Sequence, residues 1–211
     1  GKTYAVPFST SPFFVIFNAD LFEKAEQKNP AELAAEGAWT WDAFREASKA
    51  IKEKTDVWGY MTVDAQGYDA RILHNLVPII RSYGGDVWTD AWEVLIDQPE
   101  AVAATQLFHD MLYVDGSVVP PGDESNFFTG DAAMTVGQIS RISNLAEVDW
   151  KWGMAPMPTG TAGEAPVIGQ AALGAFASGK NVALAKELVG YMTSASCVAR
   201  MAGTWPPARQ R

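Results

Sequence analysis

An α/β fold is what this sequence predicts, and three features carry the prediction. Apolar residues recur at helical spacing in several segments, as in Trp41, Phe44, Ala47 and Ile51, or in Ile72, Leu76, Ile79 and Tyr83. Short apolar runs such as Phe13–Phe17 and Ala132–Val136 stand between them and have the length of buried strands. Turn and stop signals separate the two kinds of segment, and that alternation is the pattern of an α/β domain. The 211 residues fit one large domain or two small ones and are enough to bury a core.

Tyr4–Phe8 and Phe13–Phe17 read as two strand segments, or as one strand broken by the polar kink Ser9-Thr10-Ser11-Pro12. Asn18 and Asp20 lead into a short helix over Leu21–Ala25, and Asn29–Gly37 is a loop or an irregular helix. Thr40 suits an N-cap, Asp42 suits the first turn, and the helix they open runs through Lys54. Trp58–Val63 alternates like a strand. A helix over Asp69–Tyr83 is kinked by Pro78 and stopped by Gly84-Gly85. Glu93–Ile96 reads as a short strand. Pro99 fits the first turn of a helix that reaches Tyr113, and Asp115–Asp123 is a loop.

Phe127 and Phe128 end a short helix, with Gly130 as its stop. Ala132–Val136 is then a buried strand, Gly137 turns the chain, and Gln138-Ile139-Ser140-Arg141 opens the next helix. A strand that leads through a turn into a helix offers backbone N–H groups at the carboxyl edge of a sheet, where ligands bind in α/β folds. Val148–Met157 is aromatic and apolar, Thr159–Glu164 is a turn, and Pro166–Ala177 is a small-residue strand. Asn181–Ser194 is a helix with Leu184, Leu188 and Tyr191-Met192 along one face.

Formal charge of −9 and a pI of about 4.7 argue against nucleic-acid binding. The single cysteine, Cys197, rules out an internal disulfide and a thiolate metal cluster, and its Ala/Ser-rich surroundings predict a small buried residue. No run of 18 apolar residues is present. Gly174–Lys180 matches the first seven positions of a phosphate-binding loop, but Asn181 stands where that loop needs Ser or Thr for magnesium. A helix cap explains it better.

His74 and His109 are the two histidines, without a second histidine one turn on, so a zinc site is not expected. His109 reads as a surface residue, whereas His74, one turn from Asp69 and Arg71, is a candidate for facing a ligand. No G-x-S-x-G elbow and no G-x-G-x-x-G occur. Carboxylate pairs for sugar hydrolysis can be nominated from Asp69, Asp123 and Glu124, as in any acidic protein. No cofactor is expected, and no catalytic residue is assigned. What remains is aromatic residues beside planar polar ones. Sugars stack their C–H faces on Trp or Tyr and bond their hydroxyls to such groups. Tyr68-Asp69 with Arg71, Trp88, Gln138 with Arg141, Gly169-Gln170 and Trp205 have that character. Trp41 and Trp58 are assigned to the core.

Seven segments, in order, resemble the family 1 extracellular solute-binding proteins of ABC importers, the group that includes maltose-binding protein. They are Gly1–Pro7, Val15–Phe22, Thr40–Phe44, Gly84-Gly85, Phe128–Met134, Trp152–Pro158 and Ser178–Asn181. The family's counterparts read "GK-x-Y-x-V-P", "x-x-Y-N-x-D-L-F", "TW-D/E-E", "GG", "F-x-x-G-x-x-A-M", "WG-x-x-P-x-P" and "S-K-N". The resemblance implies a periplasmic-binding-protein-like fold, two α/β lobes that close by a hinge on a ligand. It also implies that the chain is incomplete and holds mainly the C-terminal lobe. Residues 1–17 would be crossing strands from the N-terminal lobe and 18–165 the C-terminal lobe. Residues 166–200 would be a crossing strand and helix of the N-terminal lobe, and 201–211 a return segment.

By position, the resemblance assigns ligand contacts to Ser11, to the region Tyr68–His74 with Tyr68, Asp69 and His74, to the turn Gly137–Ser140 with Gln138 and Ser140, and to Gln170; Arg141, beside Gln138, joins them by its chemistry. Trp205, in a turn like the family's "G-x-x-P", is a candidate stacking platform in place of the aromatic residue that follows the "A-M" strand in many members. The implied function is capture of a mono- or oligosaccharide for ABC permease membrane subunits, by a monomeric, non-enzymatic, extracytoplasmic protein, periplasmic or a cell-surface lipoprotein. The alternatives are a carboxylate-pair hydrolase, a solute-binding protein for a non-sugar ligand, and a scaffold lobe that docks a partner protein.

Overall fold

The structure, a computed structural model, describes residues 2–62 and 73–202. The chain falls into two compact units. The larger comprises Phe13–Gly137 and Asn144–Val167, and the smaller comprises the described parts of Gly1–Pro12, Gln138–Ser143 and Ile168–Arg211.

The larger unit is built on a sheet of order β2-β3-β1-β4. Strand β1 (Val6–Asn18) is continuous through the polar stretch that the sequence left as a break. In its C-terminal half Phe13, Val15 and Phe17 enter one apolar cluster and Ile16 enters another, as the period-2 alternation of a strand requires. Asn18 ends the strand and caps helix α1 (Ala19–Lys24), its Oδ1 accepting the N–H groups of Asp20 at 3.1 Å and Leu21 at 3.2 Å. The stretch read as a loop or irregular helix holds a regular turn, α2 (Pro30–Ala35). Asn29 and Glu32 close a reciprocal capping box there, with Pro30 at the first position.

Helix α3 (Trp41–Thr55) starts on the Thr40 cap and buries the expected stripe of Trp41, Phe44, Ala47 and Ile51, with Ser48. It packs on β2 (Trp58–Met61), where a Cβ at position 59 would collide with the backbone carbonyl of Ser48. Only glycine fits there. Strand β2 pairs in parallel with β3 (Ala132–Gln138), Tyr60 opposite Met134. All of β3 but Gln138 is buried, as befits an inner strand covered on both faces. Strand β4 (Trp152–Ala155) runs antiparallel to β1, Val15 opposite Ala155.

Between β2 and β3 lie α4 (Leu73–Ser82), which carries Pro78 internally, and α5 (Pro99–His109), which continues as a π-helical turn over Asp110–Val114. The buried indole N–H of Trp41 donates to Ser82 Oγ at 2.8 Å, joining α3 to α4. A 3₁₀ turn over Phe127–Thr129 ends at Gly130 with φ +88°, the stop read from the sequence. Every residue of both apolar clusters belongs to the larger unit.

Three local expectations in the larger unit need correction. Glu93–Ile96 is no strand: its pairing with Val87–Thr89 is a single bridge, Val94 to Trp88, too short for a ladder, and Val94 is 65% exposed. Gly137 does not turn the chain, because β3 runs on to Gln138 and the turn is the 3₁₀ segment Ile139–Arg141, before the short helix α6 (Ile142–Leu145). Trp58 is half-buried rather than internal, with the Lys52 ammonium 4.1 Å from its ring centroid.

In the smaller unit the N-terminal half of β1 pairs antiparallel with β5 (Ile168–Leu173). Thr10 stands opposite Gln170 and Ser11 opposite Gly169, after a register shift between Pro7 and Ser9. Helices α7 (Val182–Met192) and α8 (Ala195–Met201) follow, and neither buries a residue fully. The face of α7 read from the sequence is open to solvent, with Leu184 64%, Leu188 54% and Tyr191 61% exposed. Cys197 on α8 is half-buried instead of internal, since no core covers that helix.

Candidate functional site

Parallel strands β2 and β3 deliver their carboxyl ends at Met61 and Gln138. Polar side chains concentrate near the first of these ends. Thr135 Oγ1 donates to the Met61 carbonyl at 2.9 Å, Thr62 is buried, and the Tyr60 hydroxyl donates to Asn75 Oδ1 in a short hydrogen bond. Asn75 is 1% exposed, and its Nδ2 has no hydrogen-bond partner among the described residues. The sequence reading passed over Asn75. Its signal was a polar residue on the buried side of an apolar helix, one position before Leu76.

Beside it, His74 packs on Phe13 with ring centroids 4.6 Å apart. The candidates Tyr68 and Asp69, together with Arg71, lie outside the described residues, as does Trp205. Of the residues nominated, His74 therefore represents the larger unit, together with Trp88, which stacks on Trp92 in an exposed loop.

The smaller unit brings together Ser11, Gln138, Ser140, Arg141 and Gln170. The pairing of β1 with β5 sets Ser11 and Gln170 on adjacent strands, and β3 neighbours β1 in the sheet. Gln138 ends β3, and Ser140 and Arg141 follow in the 3₁₀ turn, all three half-buried. Ser11 Oγ is buried and lacks a hydrogen-bond partner among the described residues, which costs about 1–3 kcal/mol unless another polar group meets it. Gln170 is exposed, with its amide open to solvent or ligand. The set is one of hydroxyls and amides with a single guanidinium, suited to hydrogen-bonding a neutral polar molecule and supplying no nucleophile–base pair.

A cavity of about 310 Å³ in the same unit is lined by Tyr4, Val6, Leu173, Lys186, Val189 and Gly190 among others, and by none of the candidates. On α7 it is lined by Lys186, Val189 and Gly190, on the side of that helix opposite Leu184, Leu188 and Tyr191. Among the described residues no group of three or more His, Cys, Asp or Glu side chains is placed to hold a metal ion, and no helix is long and apolar enough to cross a membrane.

This architecture is that of the hinged binding proteins, and comparison with known proteins gives it a family. The profile of the bacterial extracellular solute-binding proteins matches residues 1–196, so the chain belongs to that family. A putative binding protein of Brucella abortus (strain 2308) is 26% identical over 174 residues, 77% of this chain and 39% of its own length. The maltose-bound MalE3 of T. maritima superposes with a TM-score of 0.75 at 26% identity, covering 97% of this chain and 54% of that one. The ABC substrate-binding protein Lmo0181 of Listeria monocytogenes, solved with cycloalternan, gives a TM-score of 0.84 at 22% identity over 100% of this chain and 54% of its own. The chain thus spans about half the length of these proteins or less.

Proposed function

We propose that this chain is part of a solute-binding protein that captures a carbohydrate by hinge closure and hands it to the membrane subunits of an ABC permease. The observation that carries this reading is the gathering of Ser11, Gln138, Ser140, Arg141 and Gln170 in one unit of a chain of this family. Their chemistry matches a polyhydroxylated ligand, whose hydroxyls both donate and accept. Maltose and cycloalternan in the related structures support the same ligand class. Tyr68, Asp69, His74 and Trp205 complete the proposed contact set, with Trp205 as the stacking surface.

The exposed Leu184, Leu188 and Tyr191 are proposed to be covered by family sequence outside this chain, as the N-terminal lobe of the resemblance requires. Residues 18–165 are then the C-terminal lobe. The protein works outside the cytoplasm, periplasmic or as a cell-surface lipoprotein.

The test is the thermal stability of a longer protein containing this chain, measured against mono- and oligosaccharides. A sugar present at a hundredfold excess over its dissociation constant should stabilise the native state by about 2.7 kcal/mol. Gln138→Ala and Gln170→Ala should weaken that response without lowering the ligand-free melting temperature. No response to any sugar at saturating concentration would overturn the carbohydrate reading.

A further inference from the structure

The segment between Gly85 and Pro99 of the larger unit is not used by the proposed function and has an unusual surface. It folds back on itself through the Thr89 N–H to the Glu93 carbonyl at 2.9 Å and the Leu95 N–H to the Val87 carbonyl at 2.8 Å. Trp92, at φ +64°, lies stacked on Trp88 with ring centroids 5.9 Å apart and planes 27° apart. Trp92 is 77% exposed. A few residues on, Ile96 and the outer stripe of α5 (Val102, Thr105, Gln106 and His109) line a groove of about 240 Å³. Ile96 and Val102 are each more than half exposed.

The charged residues along this stretch of chain have one sign. Residues 86–108 contain Asp86, Asp90, Glu93, Asp97 and Glu100 and no Lys or Arg. Asp86 is paired with Arg81 at 3.1 Å, whereas Asp90 and Glu93 have no ion pair among the described residues.

We propose that the Trp88–Trp92 stack and the neighbouring groove dock a polypeptide partner that presents Arg or Lys beside apolar side chains. A guanidinium or ammonium is attracted both to an exposed indole face and to the uncompensated carboxylates. An apolar side chain from the same partner fills the groove between Ile96 and α5. Buried Trp–Arg contacts are also the kind that dominates protein interfaces. A neutral glycan would leave the negative charge unanswered, and an anionic membrane or a second copy of this chain, formally −9, would be repelled.

Synthetic peptides of alternating Arg and Leu, with Glu/Leu and Ser/Leu peptides as controls, test this by intrinsic Trp fluorescence at several salt concentrations. The expected result is saturable binding of the Arg/Leu peptide alone. Trp92→Ala should weaken it about tenfold or more while the far-ultraviolet circular dichroism is unchanged. The pair Asp90→Asn and Glu93→Gln should weaken it and flatten its salt dependence. Equal binding by wild type and Trp92→Ala would overturn the proposal, since the attraction would then be diffuse net charge. So would saturable binding of maltoheptaose at Trp92 without peptide binding. Shielding of Trp92 from acrylamide in a longer protein containing this chain would overturn it too, because the rest of that protein would then be the occupant.

Discussion

Arg45 shows how a single side chain can tie distant parts of the larger unit together. From the middle of α3 its Nε donates to Asp115 Oδ2 at 2.5 Å and its Nη2 to Asp115 Oδ1 at 3.2 Å, a two-pronged contact, while Nη1 reaches Asp110 at 3.3 Å. The hydrogen bonds that Arg45 donates to Asp115 raise the guanidinium pKa above its ordinary value. The Asp115 side chain is only 5% exposed, so removing its partner strands a nearly buried carboxylate. Arg45→Ala should lower stability by about 2–3 kcal/mol in urea titrations at neutral pH, and Arg45→Lys, which keeps the charge but loses the fork, should recover only part.

Asp110 supplies the pH dependence. Hydrogen bonds from Gln106 and His109, with the charge of Arg45, hold its carboxyl below the usual carboxylate range. A carboxyl group depressed in the folded state stabilises it above the unfolded pKa, and that contribution disappears as pH falls through the folded value. The urea midpoints of wild type and Asp110→Asn should therefore differ at pH 7 and converge below about pH 4. Neither contact was readable beforehand, because Arg45 is 65 and 70 residues from its two partners in sequence. Asn75 escaped for a similar reason: helical spacing marks apolar stripes, and a polar residue set into one looks like an interruption until its neighbours are known.

At the scale of elements, local chemistry was legible wherever a chain segment decides its own ends. Thr40 and Gly130 terminate helices where the residue types say they should, because a cap needs only neighbours within four residues. Thr40→Ala should cost about 1 kcal/mol of unfolding free energy, and Thr40→Ser should restore most of it. Strand assignment succeeded where a ladder forms, as for Ala132–Val136 inside β3, and failed for Glu93–Ile96, which makes a single bridge to Trp88. Pairing is a non-local property. A run of four residues cannot reveal it.

For the whole molecule, the family resemblance rested on short segments spread over most of the chain, and the match over residues 1–196 agrees with it. Proposed ligand contacts were only partly placed, since three of them lie outside the described residues. The contrast between the two units is physical: the larger holds both apolar clusters, while the smaller leaves α7 uncovered. If sequence outside this chain covers that helix, Leu184→Glu with Leu188→Glu should change the stability of this chain by no more than about 0.5 kcal/mol. In a longer protein the same pair should be strongly destabilising. Equal small effects in both would mean that the face stays in water.

Strand β1 has a further consequence, one of timing. Its first sheet partner in chain order is β3, beginning at Ala132, followed by β4 at Trp152 and β5 at Ile168. At roughly 5–20 residues per second, a ribosome makes the central strand on the order of ten seconds before β3, β4 and β5 have been made. Through that interval Phe13, Phe14, Val15, Ile16 and Phe17 lack the partner strands that flank β1 in the finished sheet. The strand that anchors the finished sheet is made first and satisfied last. The five-stranded sheet cannot be completed until β5 has left the ribosome.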